Sequence, residues 1–196
     1  MSGMGRTGHL FACTEDQVVP DIIAIAKGLG AGYQPIGAMV ASDRIYDAII
    51  AGSGFFQHGH TYMGHATACA AALAVQRVIQ ADRLMANVQA RGTQLRAELH
   101  DALAAHPNVG DIRGRGLFTG IEFVQDKSTK TPIDPKQKLH ALLKTQAMAN
   151  GLLMYPSGGT IDGKQGDHVL LAPPFICTAA NISEIVSRFT QTIQQV

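Results

Sequence analysis

Pro20-Asp21-Ile22-Ile23-Ala24-Ile25-Ala26-Lys27-Gly28-Leu29-Gly30-Ala31-Gly32-Tyr33 is the stretch on which the reading of this chain turns. An apolar run ends at a lone cation, and the chain then enters closely spaced glycines. Residues 22–26, bounded by Pro and Gly, suit a short buried strand, and the glycines suit a tight turn after it. A primary amine at that junction either snorkels out of a strand end or is held where water is scarce. In the second case burial pushes it toward the neutral, nucleophilic form, the state a Schiff-base lysine needs. Lys27 is therefore a candidate catalytic residue, and this window alone leaves both readings open.

Working outward, residues 36–41 (Ile-Gly-Ala-Met-Val-Ala) form a second short apolar run that suits a buried strand. Ser42 or Asp43 can cap a helix through Ile50. Residues 64–81 are alanine-rich and apolar on most faces, which predicts a buried helix. Residues 82–106 carry Leu84, Met85, Val88, Leu95, Leu99 and Leu103 on one stripe, and Pro107 stops that helix. The pattern then changes. Residues 112–124 alternate with glycine bends, as strands do, and 135–150 read as a helix stopped by Gly151. Short strands are expected at 152–155 and 169–171, and a final helix over 179–195. The fold class expected is α/β, with a part spanning 1–82 followed by a smaller α+β part spanning 83–196.

Composition narrows the partners. Of 196 residues, 46% are hydrophobic and 16% charged, enough chain for one large or two small cores. Sixteen basic against fifteen acidic residues leave no field to attract nucleic acid or anionic lipid. No stretch approaches the roughly 18 uninterrupted apolar residues a membrane span needs. Residues 1–8 lack the apolar core of a secretory signal. Cys13, Cys69 and Cys177 have no paired spacing for a disulfide frame or a zinc site. A cytoplasmic protein with small-molecule partners is expected, with no nucleic acid and no membrane.

Three motifs offer other chemistries. Gly158-Gly-Thr-Ile-Asp-Gly163-Lys164 matches the opening of a nucleotide P-loop, but Gln165 replaces the magnesium-holding hydroxyl and a strand follows where a helix is required. Gly28-Leu-Gly30-Ala-Gly32 places its third glycine one residue too early for the dinucleotide fingerprint. His58, His60 and His65 lack a neighbouring carboxylate or Cys, so they read as polar loop residues shaping a pocket and not as a metal site. Thr61 precedes a helix whose free N–H groups suit a phosphate, or else is an ordinary helix-entry threonine. Arg113 and Arg115 can clamp a carboxylate or pair with Asp111 and Glu122, and the structural pairing is the favoured reading.

Taken together, Gly5-Arg6-Thr7-Gly8-His9-Leu10-Phe11-Ala12, the Pro20 to Gly30 stretch, His60-Thr61-Tyr62-Met63-Gly64-His65, and Gly166-Asp167-His168 with Ala172-Pro173-Pro174 occur in one order. This ordered set resembles the class III (omega-type) pyridoxal-phosphate-dependent aminotransferases of fold type I, over essentially the whole chain. The resemblance implies the C-terminal part of the large cofactor-binding domain, carrying the Schiff-base lysine, followed by the small C-terminal α+β domain. It implies that Lys27 forms the internal aldimine with pyridoxal 5′-phosphate and then shuttles a proton between substrate Cα and cofactor C4′. It also implies that Thr61 contacts the phosphate of a partner subunit's cofactor, in a homodimer or larger assembly of the full-length form.

Two departures shape the expectation. In the family an Asp-Glu-Val stretch, whose Asp pairs with the pyridinium nitrogen, precedes the Gly-Arg-Thr-Gly segment, and here Met1 stands just after that point. The chain therefore reads as the C-terminal half only, with an exposed sheet edge and exposed core expected. Several relatives also carry an arginine where this sequence has Leu170, or Met154 or Tyr155, so an α-carboxylate clamp from that element is not expected. The segment 158–168 is closer to omega-type members than to ornithine-type ones. The expected reaction is amino transfer from an amine or ω-amino acid to pyruvate or another small 2-oxo acid. The alternatives are a non-catalytic remnant or subunit that needs a partner chain, and an aminomutase of the same family.

Overall fold

Ile22–Ile25 (β1) and Ala38–Ala41 (β2) pair antiparallel, with Ile22 opposite Ala41 and Ile25 opposite Ala38. They belong to the first of two units, residues 1–85 and 86–196, in a computed structural model that describes all of residues 1–196. In the first unit β2 leads into α1 (Asp43–Ala51), ended by Gly52, and a loop then leads to α2 (Ala66–Ala81). Asp21 accepts hydrogen bonds from Ser42 Oγ at 3.3 Å and from Arg44 at 2.8 Å, joining the entry of β1 to the entry of α1.

Burial in this unit departs from expectation. The apolar composition of β1, β2 and α2 predicts cover on both sides, as in a layered α/β domain. Instead β1 and β2 are exposed or half-buried throughout, and α2 buries only Ala68, Ala72 and Ile79. Leu73 and Val78 on α2 are 51% and 50% exposed. Apolar composition records which faces must be covered, and in this unit those faces stay largely uncovered.

The second unit is an antiparallel sheet with helices on one face. Its strands are β3 (Val109–Arg115), β4 (Phe118–Phe123), β5 (Tyr155–Gly158) and β6 (Asp167–Leu171), in the order β3-β4-β6-β5. In β4, Thr119, Ile121 and Phe123 are buried while Phe118, Gly120 and Glu122 are half-buried, the period of two that a strand covered on one face requires. Ile121 faces Ile112 on β3 and Val169 on β6. Onto that face pack Leu95, Leu99 and Leu103 of α3 (Leu84–Leu103), Leu143 of α4 (Leu139–Ala149), and Ile182 and Phe189 of α5 (Ala179–Gln194).

Helix ends follow local chemistry. Helix α4 stops at Gly151, whose φ of +70° suits glycine. Thr178 and Asn181 form a reciprocal capping box at the start of α5. Strand β5 lies at 155–158, three residues beyond its expected start, because Leu152 is still tied to α4 through its N–H to the Ala147 carbonyl at 2.8 Å. Pro156 is accommodated because β5 is an edge strand. No helix is long and apolar enough to cross a membrane.

Candidate active-site lysine

Strand β1 delivers Lys27 directly into a 3₁₀ turn, Lys27–Leu29, in which Lys27 itself holds a left-handed φ of +51°. A non-glycine residue in that region costs about 1–2 kcal/mol and persists only where neighbours hold it. The turn is closed by Leu29 N–H donating to Ala26 O at 3.1 Å and by Gly30 N–H donating to Lys27 O at 3.2 Å. Two further contacts hold it. A Cβ on Gly28 would lie 3.0 Å from Met4 Cβ and 3.3 Å from Met4 O, and Met4 is buried with a φ of +55°. Gln76 of α2 donates from Nε2 to Leu29 O at 3.0 Å and to Gly28 O at 3.4 Å.

The Lys27 side chain is exposed and makes no hydrogen bond or ion pair. The desolvation argued from sequence is therefore not supplied by these residues. In the N-terminal segment, Thr7 is buried and its Oγ1 has no hydrogen-bond partner.

Thr61 lies ahead of α2, as expected, with turns between the two. Residues 60–65 form turns closed by Met63 N–H to His60 O at 3.0 Å and His65 N–H to Tyr62 O at 3.2 Å. Helix α2 begins at Ala66, and its capping acceptor is His65 Nδ1, 3.4 Å from Ala68 N. Gly64 takes φ +73° between them, so the helix starts at Ala66, just after its expected start at Gly64. The Thr61 side chain is exposed, and no hydrogen bond joins it to Lys27. His58 and His60 meet edge to face with ring centres 5.2 Å apart.

The second unit has its own cleft, of about 420 Å³, on the sheet face away from the helices. Arg113, Glu122, Thr160, Ile161 and His168 line it. Arg113 Nη1 donates to Asp111 at 2.7 Å and Glu122 at 2.9 Å, so structural pairing describes it and a carboxylate clamp does not. His168 has a buried Nδ1 without a partner, and burial first, then the Arg113 charge, lowers its pKa. Residues 159–166 form the loop between β5 and β6, where Asp162 accepts from the N–H groups of Lys164 and Gln165 at 2.9 and 2.7 Å. The P-loop-like string thus leads into a strand, and its acidic residue holds the N–H groups that a phosphate would need.

The sequence reading missed Gln76 and Met4. Gln76 had a signal: it falls on the stripe of Ala68, Ala72 and Ile79, the buried face of α2, where a polar group needs a partner. Met4 had none, because its role depends on a backbone approach to Gly28 that no local pattern encodes.

Comparison with known proteins identifies the family and the fold. A family described as Aminotransferase class-III matches residues 1–193. An aminotransferase of Gibberella zeae is 46% identical over 98% of this chain, which covers 38% of that protein. An uncharacterized aminotransferase of Bacillus subtilis is 41% identical over 100% of this chain and 44% of its own length. Among solved structures, a transaminase from a marine Virgibacillus superposes with a TM-score of 0.93 at 31% identity, over 99% of this chain and 43% of that one. An amine transaminase from an uncultivated Pseudomonas species, in a PLP-bound form, gives 0.89 at 36% identity over 99% and 43%. The chain spans about two fifths of the length of the relatives it matches.

Proposed function

Because this chain belongs to the class III aminotransferases, we propose that it carries the cofactor-binding lysine of a pyridoxal-phosphate-dependent amino-group transfer. The observation that carries the reading is Lys27, an exposed amine with no ion-pair partner, presented by a turn clamped on two sides. An aldehyde cofactor needs such an amine, and a lysine committed to a salt bridge would not serve. When bound, pyridoxal phosphate supplies an electron sink for negative charge developing at the substrate carbon next to the nitrogen.

In this reading Lys27 anchors the cofactor covalently and, once displaced by substrate, moves a proton at the substrate Cα and at cofactor C4′. The Thr61 hydroxyl, exposed on its turn, is a donor for the phosphate of a cofactor in a second subunit of a homodimer. The amino donor is an amine or ω-amino acid and the acceptor pyruvate or a similar 2-oxo acid. Support for a donor without an α-carboxylate comes from the sequence, where Leu170, Met154 and Tyr155 stand at positions at which several family members carry an arginine. Segments of a longer polypeptide or a partner chain supply the walls that desolvate Lys27.

A second reading has its own observation. The exposed β1, β2 and α2 faces and the exposed Lys27 favour a subunit that is catalytic only with a partner chain. One experiment separates the two. The purified chain is titrated with pyridoxal phosphate, reduced with borohydride and mapped by peptide mass, with Lys27→Ala as control. Adduct confined to Lys27 supports the first reading. Adduct at Lys27 only after addition of the N-terminal half of a relative supports the second. Adduct scattered over the chain's lysines in both conditions refutes the assignment of Lys27.

A further inference from the structure

We propose that Gln76 is the positioning residue of the Lys27 turn, setting the direction in which the Lys27 amine is presented. The inference rests on the reading of Lys27 as the cofactor-bearing amine. Both acceptors facing Gln76 are backbone carbonyls, Gly28 O and Leu29 O, so the amide must turn its NH₂ toward them and uses both of its hydrogens there. These are the two carbonyls immediately after Lys27, one on each of the residues that complete its turn. Lys27 stands in left-handed backbone, and the next residue leaves almost no space, since a Cβ on Gly28 would already touch Met4. With Met4 packed on Gly28 and Gln76 bonded to the following carbonyls, rotation of the Lys27–Gly28 peptide breaks one contact or the other.

Gln76 also has no structural alternative on its own helix. It lies on the buried stripe of α2, where Ala68, Ala72 and Ile79 are apolar and an alanine or leucine would pack without a partner. A glutamine there costs desolvation of its amide, offset only by the two carbonyls of the lysine turn. The residue therefore couples α2 to the orientation of Lys27 and has no substrate contact of its own.

The test uses two variants of this chain, Gln76→Met, which keeps length and helix propensity but donates nothing, and Gln76→Asn, which keeps the amide but falls short of the carbonyls. Hydrogen exchange is followed in peptides covering residues 27–30 and α2, and borohydride-trapped pyridoxal phosphate is quantified at Lys27. Loss of one to two net hydrogen bonds predicts roughly five- to thirtyfold faster exchange at 27–30, with α2 unchanged. Trapping at Lys27 slows by a similar factor while adduct at Lys144 is unaltered, and the visible band of lysine-bound cofactor weakens with no fall in Tm. Unchanged exchange at 27–30 in either folded variant overturns the inference. So does equal acceleration across α2, which would make Gln76 a general packing residue. If the parent chain traps no cofactor at Lys27, the proposed function fails for this chain, and the exchange result still decides the role of Gln76.

Discussion

Gly92→Ala inverts the sign normally expected of a helix glycine. Gly92 lies mid-way along α3, where exchange for alanine ordinarily stabilises by about 1 kcal/mol. Here an added Cβ would lie 2.1 Å from Gly116 O, 2.4 Å from its carbonyl carbon and 2.8 Å from its Cα. Carbon atoms pack comfortably at about 3.5–4.0 Å, so the β3–β4 turn and the helix must separate by more than about 1 Å. The turn yields poorly: Gly116 is held at φ +51°, the next residue, Leu117, is fully buried, and Arg96 Nη1 donates to Gly116 O at 2.8 Å. Overpacking of about 1–3 kcal/mol, plus about 1 kcal/mol for the strained Arg96 bond, outweighs the propensity gain. The net expectation is a loss of about 1–3 kcal/mol. Urea unfolding followed by circular dichroism measures it, with Ala90→Gly on the exposed side of α3 as a propensity control costing about 1 kcal/mol. A Gly92→Ala midpoint at or above the parent's would refute the close-approach argument.

Three other expectations follow from particular groups. Thr119 is fully buried with an unpartnered Oγ1, so Thr119→Val should raise unfolding stability by about 1 kcal/mol, and a loss would show that the hydroxyl is satisfied in solution. Burial holds His168 and His106 below their ordinary pKa of 6.5, aided by Arg113 and Lys127 respectively. Their contribution is fully present above pH 6.5 and is lost as pH falls through the depressed folded values, since the unfolded chain then binds the extra protons. The urea midpoint should therefore fall between pH 7 and 5, and His168→Gln should flatten that slope; an identical slope in the variant would remove His168 as its source. Gly28→Ala should push Met4 aside by a few tenths of an ångström and speed hydrogen exchange of residues 3–8, and unchanged exchange there would show that the N-terminal segment does not clamp the lysine turn.

How much was legible before the structure depended on how local the deciding physics was. The stripe of Val88, Leu95, Leu99 and Leu103 and the stop at Pro107 predicted α3 closely, because periodicity and a missing donor act within one helix. Strand β5 was displaced because its start depends on pairing with β6, fifteen residues or so further on, and not on where apolar residues begin. The string from 158 to 164 could be dismissed from its neighbours alone, and the loop geometry agrees. Lys27 was singled out as a candidate from its company, but its surroundings were not legible. Apolar composition showed that β1, β2 and α2 require cover, without showing that they stay largely exposed in this chain. Thr61 was read as preceding a helix from residue 64, and the left-handed Gly64 with the His65 cap places the first helical residue at Ala66.

The strand order of the second unit carries a consequence for time. β3 and β4 are joined by a two-residue turn and form a local hairpin, a microsecond event in isolation. The β4–β6 ladder instead pairs Phe123 with Asp167 and Thr119 with Leu171, closing a loop of about 45 residues that includes α4 and β5. Loop entropy must be met before that ladder returns any contact, so the β4–β6 seam is expected to close more slowly than the β3–β4 hairpin. Until the seam closes, the apolar side of the hairpin has no β6 neighbour, and α4 must dock to bring one. Which strands are neighbours thus sets an expected order, hairpin before seam, independently of what the finished unit does.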